Sequence, residues 1–303
     1  MTAALAPLRC RVCADEDGPF TADGLCEGCA DAGVEPGVYD ISAELYHADP
    51  VPGRSLSSTH ARQLATKSPA TYRWNLDHPQ PYKKAFDLGT AAHKLVLDDG
   101  PELVVVDAER WDTKAVKAEV AAIRAEGAIP LKRAAFDQVH DMAAALRDDE
   151  EAAELLEPGS GDAERSLFWE ANGIWRRARF DWLRHDGRGV DYKSTRSAHP
   201  DDLPTSVHRY GYHQQQEWYI AAGLALDVID PDAEKPFSFI FQETEPPYLV
   251  TVTALDAMAR QIGAHLNQVA LNAYAWCRDN DTWPGYLPAP LTSLPAWVER
   301  QYA

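Results

Sequence analysis

The stretch WEANGIWRRARFDWLRHDGRGVDYKSTR, residues 169–196, decides how the rest of the chain is read. Asn172-Gly173 is a two-residue hairpin signal, because both central positions of such a turn need positive φ. Asp186-Gly187-Arg188-Gly189 marks a second turn. The stretch therefore reads as three short strands. Strand side chains alternate between faces, so Arg177, Arg179 and Asp181 share one face, and Asp191 and Lys193 share one. If the two faces are the same, two carboxylates and an ammonium converge beside two guanidiniums. Counting back from the first turn sets Glu170 opposite Trp175 and on the face of Asp181. Trp175 and Asp181 are six residues apart, however, roughly 20 Å along a strand, so Glu170 is expected at the rim. Asp181 and Asp191 flank the second turn closely enough to meet.

The surrounding composition sets limits. The 303 residues are 45% hydrophobic and 25% charged, ordinary for a soluble globular protein of one large domain plus an appendage. The formal net charge of −18 argues against a protein that coats nucleic acid non-specifically. It leaves room for a local basic groove, and Arg and Lys do cluster between Arg176 and Arg196. No apolar run is long enough for a membrane span, and the N-terminus lacks the pattern of a secretory signal, so a cytoplasmic location is expected.

Outward from the central stretch, four of the five cysteines lie at the start, as Cys10-x-x-Cys13 and Cys26-x-x-Cys29. Two such knuckles can complete a tetrahedron of thiolates. Residues 1–36 are read as a small zinc-ribbon-like module held by structural Zn²⁺. A pair of disulfides and an iron–sulfur cluster are the competing readings. Residues 37–54, rich in Pro and Gly, read as a linker. From residue 55, Ser57 or Ser58 can cap a short helix, and a second one covers 70–75. In FDLGTAAHKLVL, residues 86–97, His93 falls on an apolar helical face. It is either a core histidine or, if this helix docks over the strands, a ligand. Leu103–Val106 reads as a strand, and 114–156 as an all-helical insertion broken at Ile129-Pro130-Leu131. A helix over about 205–226 carries Gly211, Gln215, Tyr219 and Gly223 every four residues. That stripe suits close packing and hydrogen bonding to a polar ligand. Two strands, FSFIFQ and YLVTVT, and a long amphipathic helix over 255–278 follow. Cys277 is expected to be an inert buried thiol. The Pro-rich, aromatic tail from Trp283 to Trp297 is expected to lie across the surface without forming an element.

Hydrolysis of a phosphodiester needs an activated water, charge relief at phosphorus and a stabilised leaving oxygen, all of which divalent ions supply. Hard ions such as Mg²⁺ take oxygen ligands, which suits Asp181 and Asp191. Lys193 can contact both the water and the phosphate, and Arg177 and Arg179 can hold neighbouring phosphates. The order Asp181…Asp191-Tyr192-Lys193, then Gln215-x-x-x-Tyr219, resembles the PD-(D/E)xK nuclease superfamily. The upstream GTAAH of Gly89–His93, the Thr66–Tyr72 segment and the WPGY…LPAW tail make residues 55–303 similar to its exonuclease VIII (RecE-type) phage and prophage branch.

That resemblance implies a mixed α/β restriction-endonuclease-like core, with a central mixed sheet flanked by helices. It implies a Mg²⁺- (or Mn²⁺-) dependent exonuclease that degrades linear duplex DNA 5′ to 3′. The 3′ overhangs would pass to a single-strand annealing protein in recombination, and the enzyme would be a toroidal homo-oligomer in the bacterial host cytoplasm. His93, Asp181 and Asp191 become metal ligands, Lys193 handles the water, and Arg177, Arg179, Arg196, Gln215 and Tyr219 become DNA-binding or orienting residues. Asp191 stands where many superfamily members have Glu. Two alternatives remain: a RecB-like, CRISPR-adaptation-type nuclease with an iron–sulfur cluster, and a catalytically idle DNA-end or protein-binding scaffold.

Overall fold

A computed structural model of the protein describes residues 34–78, 87–108, 110–286 and 292–302. The cysteine knuckles Cys10, Cys13, Cys26 and Cys29 lie outside the described residues. In chain order the elements are β1 (Gly37–Tyr39), α1 (Ala43–Ala48), α2 (Ser58–Thr66), α3 (Pro69–Asp77), α4 (Asp87–Leu97), β2 (Leu103–Val105), α5 (Lys114–Ala125) and β3 (Ile129–Leu131). They continue with α6 (Arg133–Asp148), α7 (Glu150–Leu155), β4 (Gly161–Ala171), β5 (Ile174–Arg184), β6 (Gly189–Thr195), α8 (Leu203–Tyr210), α9 (Tyr212–Ala225), β7 (Phe237–Glu243), β8 (Val250–Thr253), α10 (Ala257–Asp279) and α11 (Ala296–Tyr302).

The fold is mixed α/β. Six strands form one sheet in the order β1-β4-β5-β6-β7-β8, antiparallel except for the parallel pair β6–β7. The central three strands follow the hairpin register expected from Asn172-Gly173, with Ala171 paired to Ile174. One helical layer, including α2, α9 and α10, buries Ala178, Phe180, Phe237, Phe239 and Phe241 with Trp218 and Tyr219. A second, built from α4, α6 and α7, buries Trp182, Val190, Tyr192 and Ile240. Helix starts follow local chemistry: the side chains of Ser57, Ser68, Thr113, Asp149 and Asp256 each accept a first-turn N–H.

Several expectations are corrected. Residues 37–48 are no linker: β1 pairs along β4, and Tyr46 packs on Phe168 in a core of its own. The break at Ile129-Pro130-Leu131 is a strand, β3, parallel to β2, because three buried apolar residues find ladder partners in Leu103–Val105. The helix expected over 205–226 is two, α8 and α9. They meet at Gly211, whose φ of +71° lies in the left-handed region and ends α8. Gly223 does permit close packing, since a methyl group there would come within 2.0 Å of Ile229. The tail is not wholly irregular either: α11 forms near the C-terminus, and Trp283 packs on Tyr72 and Tyr274.

The β5–β6 ladder is short. It pairs Leu183 with Gly189 and Trp182 with Val190 and then ends. Beyond that point the strands part, and the edge of β5 exposed by the divergence is taken by Leu56. Leu56 N–H donates to Trp175 O at 2.9 Å, and its carbonyl accepts from Arg177 N–H at 2.8 Å. The neighbouring Arg177 side chain ion-pairs with Asp49 at 2.5 Å and donates to Ser55 O and Oγ, with both charged side chains at most 5% exposed. Arg177→Ala would leave Asp49 buried without its counter-charge. It should cost about 3–5 kcal/mol of unfolding free energy in urea titrations.

Candidate active site

The site forms where β5 and β6 separate. The next facing pair in their register is Asp181 and Asp191, at the point where ladder bonds stop. In place of a ladder carbonyl, the Asp181 carboxylate accepts the Tyr192 N–H at 2.8 Å. Asp191 is 1% exposed. Its Oδ1 accepts from Gln215 Nε2 at 2.8 Å, and its Oδ2 pairs with the Lys193 ammonium. The ammonium also lies 5.1 Å from the centroid of the Tyr212 ring. Helix α4 docks over Tyr192, with the His93 ring edge-on to the phenol ring at 5.1 Å and His93 Nδ1 3.8 Å from Asp181 Oδ2. Of the two readings open for His93, its place over the strands favours the ligand.

A residue not singled out in the sequence joins this group. Glu164 of β4 falls opposite Asp181, between the pairs Ala163–Trp182 and Arg165–Phe180. Its φ of +54° is unusual for a residue with a side chain. Ligand atoms of His93, Glu164 and Asp181 all lie within 4.8 Å of one another. Arg179 holds the Glu164 carboxylate at 2.5 Å.

The charges of the site are unevenly matched. Glu164 has Arg179 and Asp191 has Lys193, whereas among the described residues Asp181 has no Lys or Arg of its own. Burial pushes the Asp181 carboxyl up to about 7 against the pull of Lys193, with Glu164 adding to the rise. Burial and the Asp181 charge push Asp191 up to about 6. For Lys193, burial opposes the charge, but Asp191 and Asp181 outweigh it and its pKa is raised. Burial, then the Lys193 charge, lowers His93, which favours the neutral imidazole that can ligate. Buried carboxylates short of positive charge, beside a neutral imidazole, fit a divalent cation such as Mg²⁺ or Mn²⁺. Glu164→Gln should weaken Mn²⁺ binding by about tenfold or more, measured by calorimetry, because it removes one anionic ligand from the triad.

Two DNA-binding assignments, Arg177 and Arg179, are corrected, and Tyr219 fits only the orienting one of its two readings. Arg177 is buried against Asp49 and Ser55 and presents nothing to a phosphate. Arg179 donates to Glu164, to Ile41 O at 2.8 Å and to Ser166 Oγ at 2.6 Å, so its work is to fix Glu164. Tyr219 is 7% exposed and packs on Phe180 and Phe237. It supports Gln215 from the core, and Gln215 orients Asp191. Arg196, by contrast, is exposed at the end of β6. Glu170 is exposed, at the Asn172-Gly173 end of the sheet, paired to Trp175.

A mixed sheet whose diverging central strands present Asp, Asp-x-Lys and a helical Gln places the chain in the PD-(D/E)xK nuclease superfamily. Residues 55–288 match the family described as a PDDEXK-like domain of unknown function (DUF3799), and the chain belongs to that family. A solved structure of a candidate exonuclease from Eubacterium rectale is similar in fold, with a TM-score of 0.57 over 84% of this chain and 96% of that one, at 12% identity. The solved structure of SSO0001 is 16% identical over 65% of this chain and 87% of that one. Its TM-score of 0.27 is too low to bear on the fold. No curated protein matches the chain. Among the described residues no helix is long and apolar enough to cross a membrane.

Proposed function

We propose that the protein is a divalent-cation-dependent DNA exonuclease of the exonuclease VIII (RecE-type) kind, acting on linear duplex DNA from the 5′ end. The observation that carries this reading is the convergence of Asp181, Asp191 and Lys193 with His93 and Glu164 at the parting of β5 and β6. A bound Mg²⁺ or Mn²⁺ supplies charge relief at the phosphate and lowers the pKa of water. His93, Glu164, Asp181 and Asp191 are the residues that would hold it. The Lys193 ammonium, kept charged by Asp191, donates to a phosphate oxygen or orients the attacking water. Gln215 fixes the Asp191 carboxylate, and Tyr192 N–H fixes that of Asp181, so neither must reorganise during reaction.

The wider proposal follows the same reading. The 3′ overhang passes to a single-strand annealing protein, and a toroidal homo-oligomer encloses the duplex and shields it from an acidic exterior. The four cysteines hold structural Zn²⁺ in a module of residues 1–36, and the enzyme works in a bacterial cytoplasm. The test is digestion of linear duplex labelled at the 5′ or the 3′ end, beside covalently closed circles, in Mg²⁺ and in EDTA. Early release of the 5′ label in Mg²⁺ with closed circles intact is the expected result. Cutting of closed circles would mean an endonuclease, and first release of the 3′ label would reverse the polarity.

A further inference from the structure

A cavity of about 610 Å³ opens at the end of β6, beside Ser194 and Thr195, between that strand's continuation and α8. This is within the roughly 300–1,000 Å³ typical of small-ligand sites. Its wall carries the hydroxyls of Ser194, Thr205 and Ser206 and two guanidinium groups, Arg196 and Arg209. Most other arginines of the sheet and its β5–β6 turn are spent on protein acceptors: Arg165, Arg177, Arg179, Arg184 and Arg188 each have an acidic partner within ion-pair distance, and Arg176 donates to Ala171 O at 3.1 Å. Arg196 and Arg209 have no acidic partner among the described residues. In a chain of net charge −18, two unpaired guanidiniums facing one hydroxyl-lined space are suited to an external anion. The one carboxylate in the wall, Asp202, accepts a hydrogen bond from Ser197 Oγ at 2.7 Å.

The same cavity has an aromatic side. Tyr212, which carries the Lys193 ammonium over its ring, packs on Phe239 and Phe241 at 5.7 and 5.8 Å and meets Tyr210 at 5.6 Å. Tyr210 ends this ladder of rings and is 49% exposed. Its carbonyl is held by the Arg62 guanidinium, which fixes the rim beside Gly211. A flat ring at the open end of an aromatic ladder offers a base a stacking surface.

We propose that this cavity is a nucleotide subsite: Arg196 and Arg209 hold a phosphate of the nucleotide next to the bond being cut, and its base stacks on Tyr210. The subsite rests on the nuclease reading for its biological use, but its ligand chemistry, a deoxynucleoside monophosphate, is testable alone. Titrate the full chain in EDTA with deoxynucleoside 5′-monophosphate, deoxynucleoside 3′-monophosphate, inorganic phosphate and unphosphorylated deoxynucleoside, reading binding by calorimetry. One monophosphate should bind about tenfold or more tightly than the nucleoside, and which one it is tells which end of the nucleotide carries the recognised phosphate. Inorganic phosphate should bind more weakly than that nucleotide, since it lacks the stacked base. Arg196→Ala/Arg209→Ala should remove that preference and raise KM for linear duplex about tenfold with little change in kcat. Both side chains are exposed, so the fold should survive. Arg209→Glu, expected to bind the monophosphate more weakly still, provides a second variant.

Equal binding of nucleoside and nucleotide, or a preference that persists in the double variant, would overturn the subsite while leaving cation-dependent cleavage intact. Arginine-dependent nucleotide binding by a chain that cuts no DNA would keep the subsite and remove the nuclease.

Discussion

Lys193→Ala is expected to lower the rate of cation-dependent DNA cleavage about 10³-fold, within the range by which a positioned proton-handling group accelerates a reaction. The ammonium sits on Asp191 Oδ2 and is the cationic side chain brought into the pocket beside both aspartates. In the proposed reaction, its loss removes the donor that the site brings to the phosphate beside Asp191. Cation binding should move the other way. The ammonium repels a second cation, so Mn²⁺ should bind Lys193→Ala at least as tightly as the wild type. Removing a positive charge leaves Asp191 more basic, and its carboxyl can take up a proton without unfolding the sheet. Lost cleavage with retained Mn²⁺ binding, read by calorimetry on the same sample, separates a chemical role from a structural one. Loss of both together would show that Lys193 mainly holds the site in shape.

Asp181→Asn should behave differently and in two directions. It should reduce cleavage at least 10²-fold and weaken the cation, yet stabilise the protein when no cation is present. The sign follows from the folded-state pKa of Asp181, raised by burial from 3.8 to about 7. Folding opposes ionisation of this carboxyl. The resulting destabilisation is absent below about pH 4, grows between pH 4 and 7, and is full above pH 7. Asn cannot ionise, and its amide oxygen can still accept from Tyr192 N–H. In EDTA at pH 8 the variant should therefore be more stable by on the order of 4 kcal/mol, a gap that closes as pH falls to 4. Saturating Mn²⁺ should reverse the order, because binding to the folded wild type adds stability that the variant cannot gain. Thermal melts of both proteins at pH 4, 6 and 8, with EDTA and with Mn²⁺, check all of this. A variant less stable than the wild type in EDTA at pH 8 would refute the electrostatic account.

What was legible in the sequence depended on regular periods. Asn172-Gly173 and the alternation in β5 and β6 placed Asp181, Asp191 and Lys193 together, because strand period and turn chemistry are local. The same register also contains Glu164. Counting outward from the pair Ala171–Ile174 brings Glu164 opposite Asp181, well beyond the Glu170 that lies nearer the turn. What no count could show is the left-handed backbone at Glu164 and the Arg179 side chain that secures it. That Arg177 and Arg179 turn inward to protein partners was hidden for a related reason. Face alternation says which side an arginine leaves the strand from, but not that Asp49, Ser55 and Ile41 arrive there from the N-terminal segment. Ile41 and Asp49 belong to residues whose Pro and Gly content reads as a linker, and Ser55 follows directly after them. The break at Gly211 was similarly hidden, since a glycine spaced at four residues from Gln215 looks like part of a helical stripe until its φ is known. His93 was visible as a histidine on an apolar face. Its place beside Asp181 depends on the docking of α4 over Tyr192, a tertiary fact.

The central claim is that the carboxylates and lysine at the parting of β5 and β6 hydrolyse phosphodiesters with a divalent cation. The most direct measurement is release of acid-soluble nucleotide from linear duplex DNA by the full chain, with Mg²⁺, with Mn²⁺ and with EDTA, at pH 8. The expected result is release in either cation, none in EDTA, and restoration when cation is added back in excess of chelator. Equal release in EDTA, or no release with either cation from a protein that binds Mn²⁺ and melts cooperatively, would contradict it.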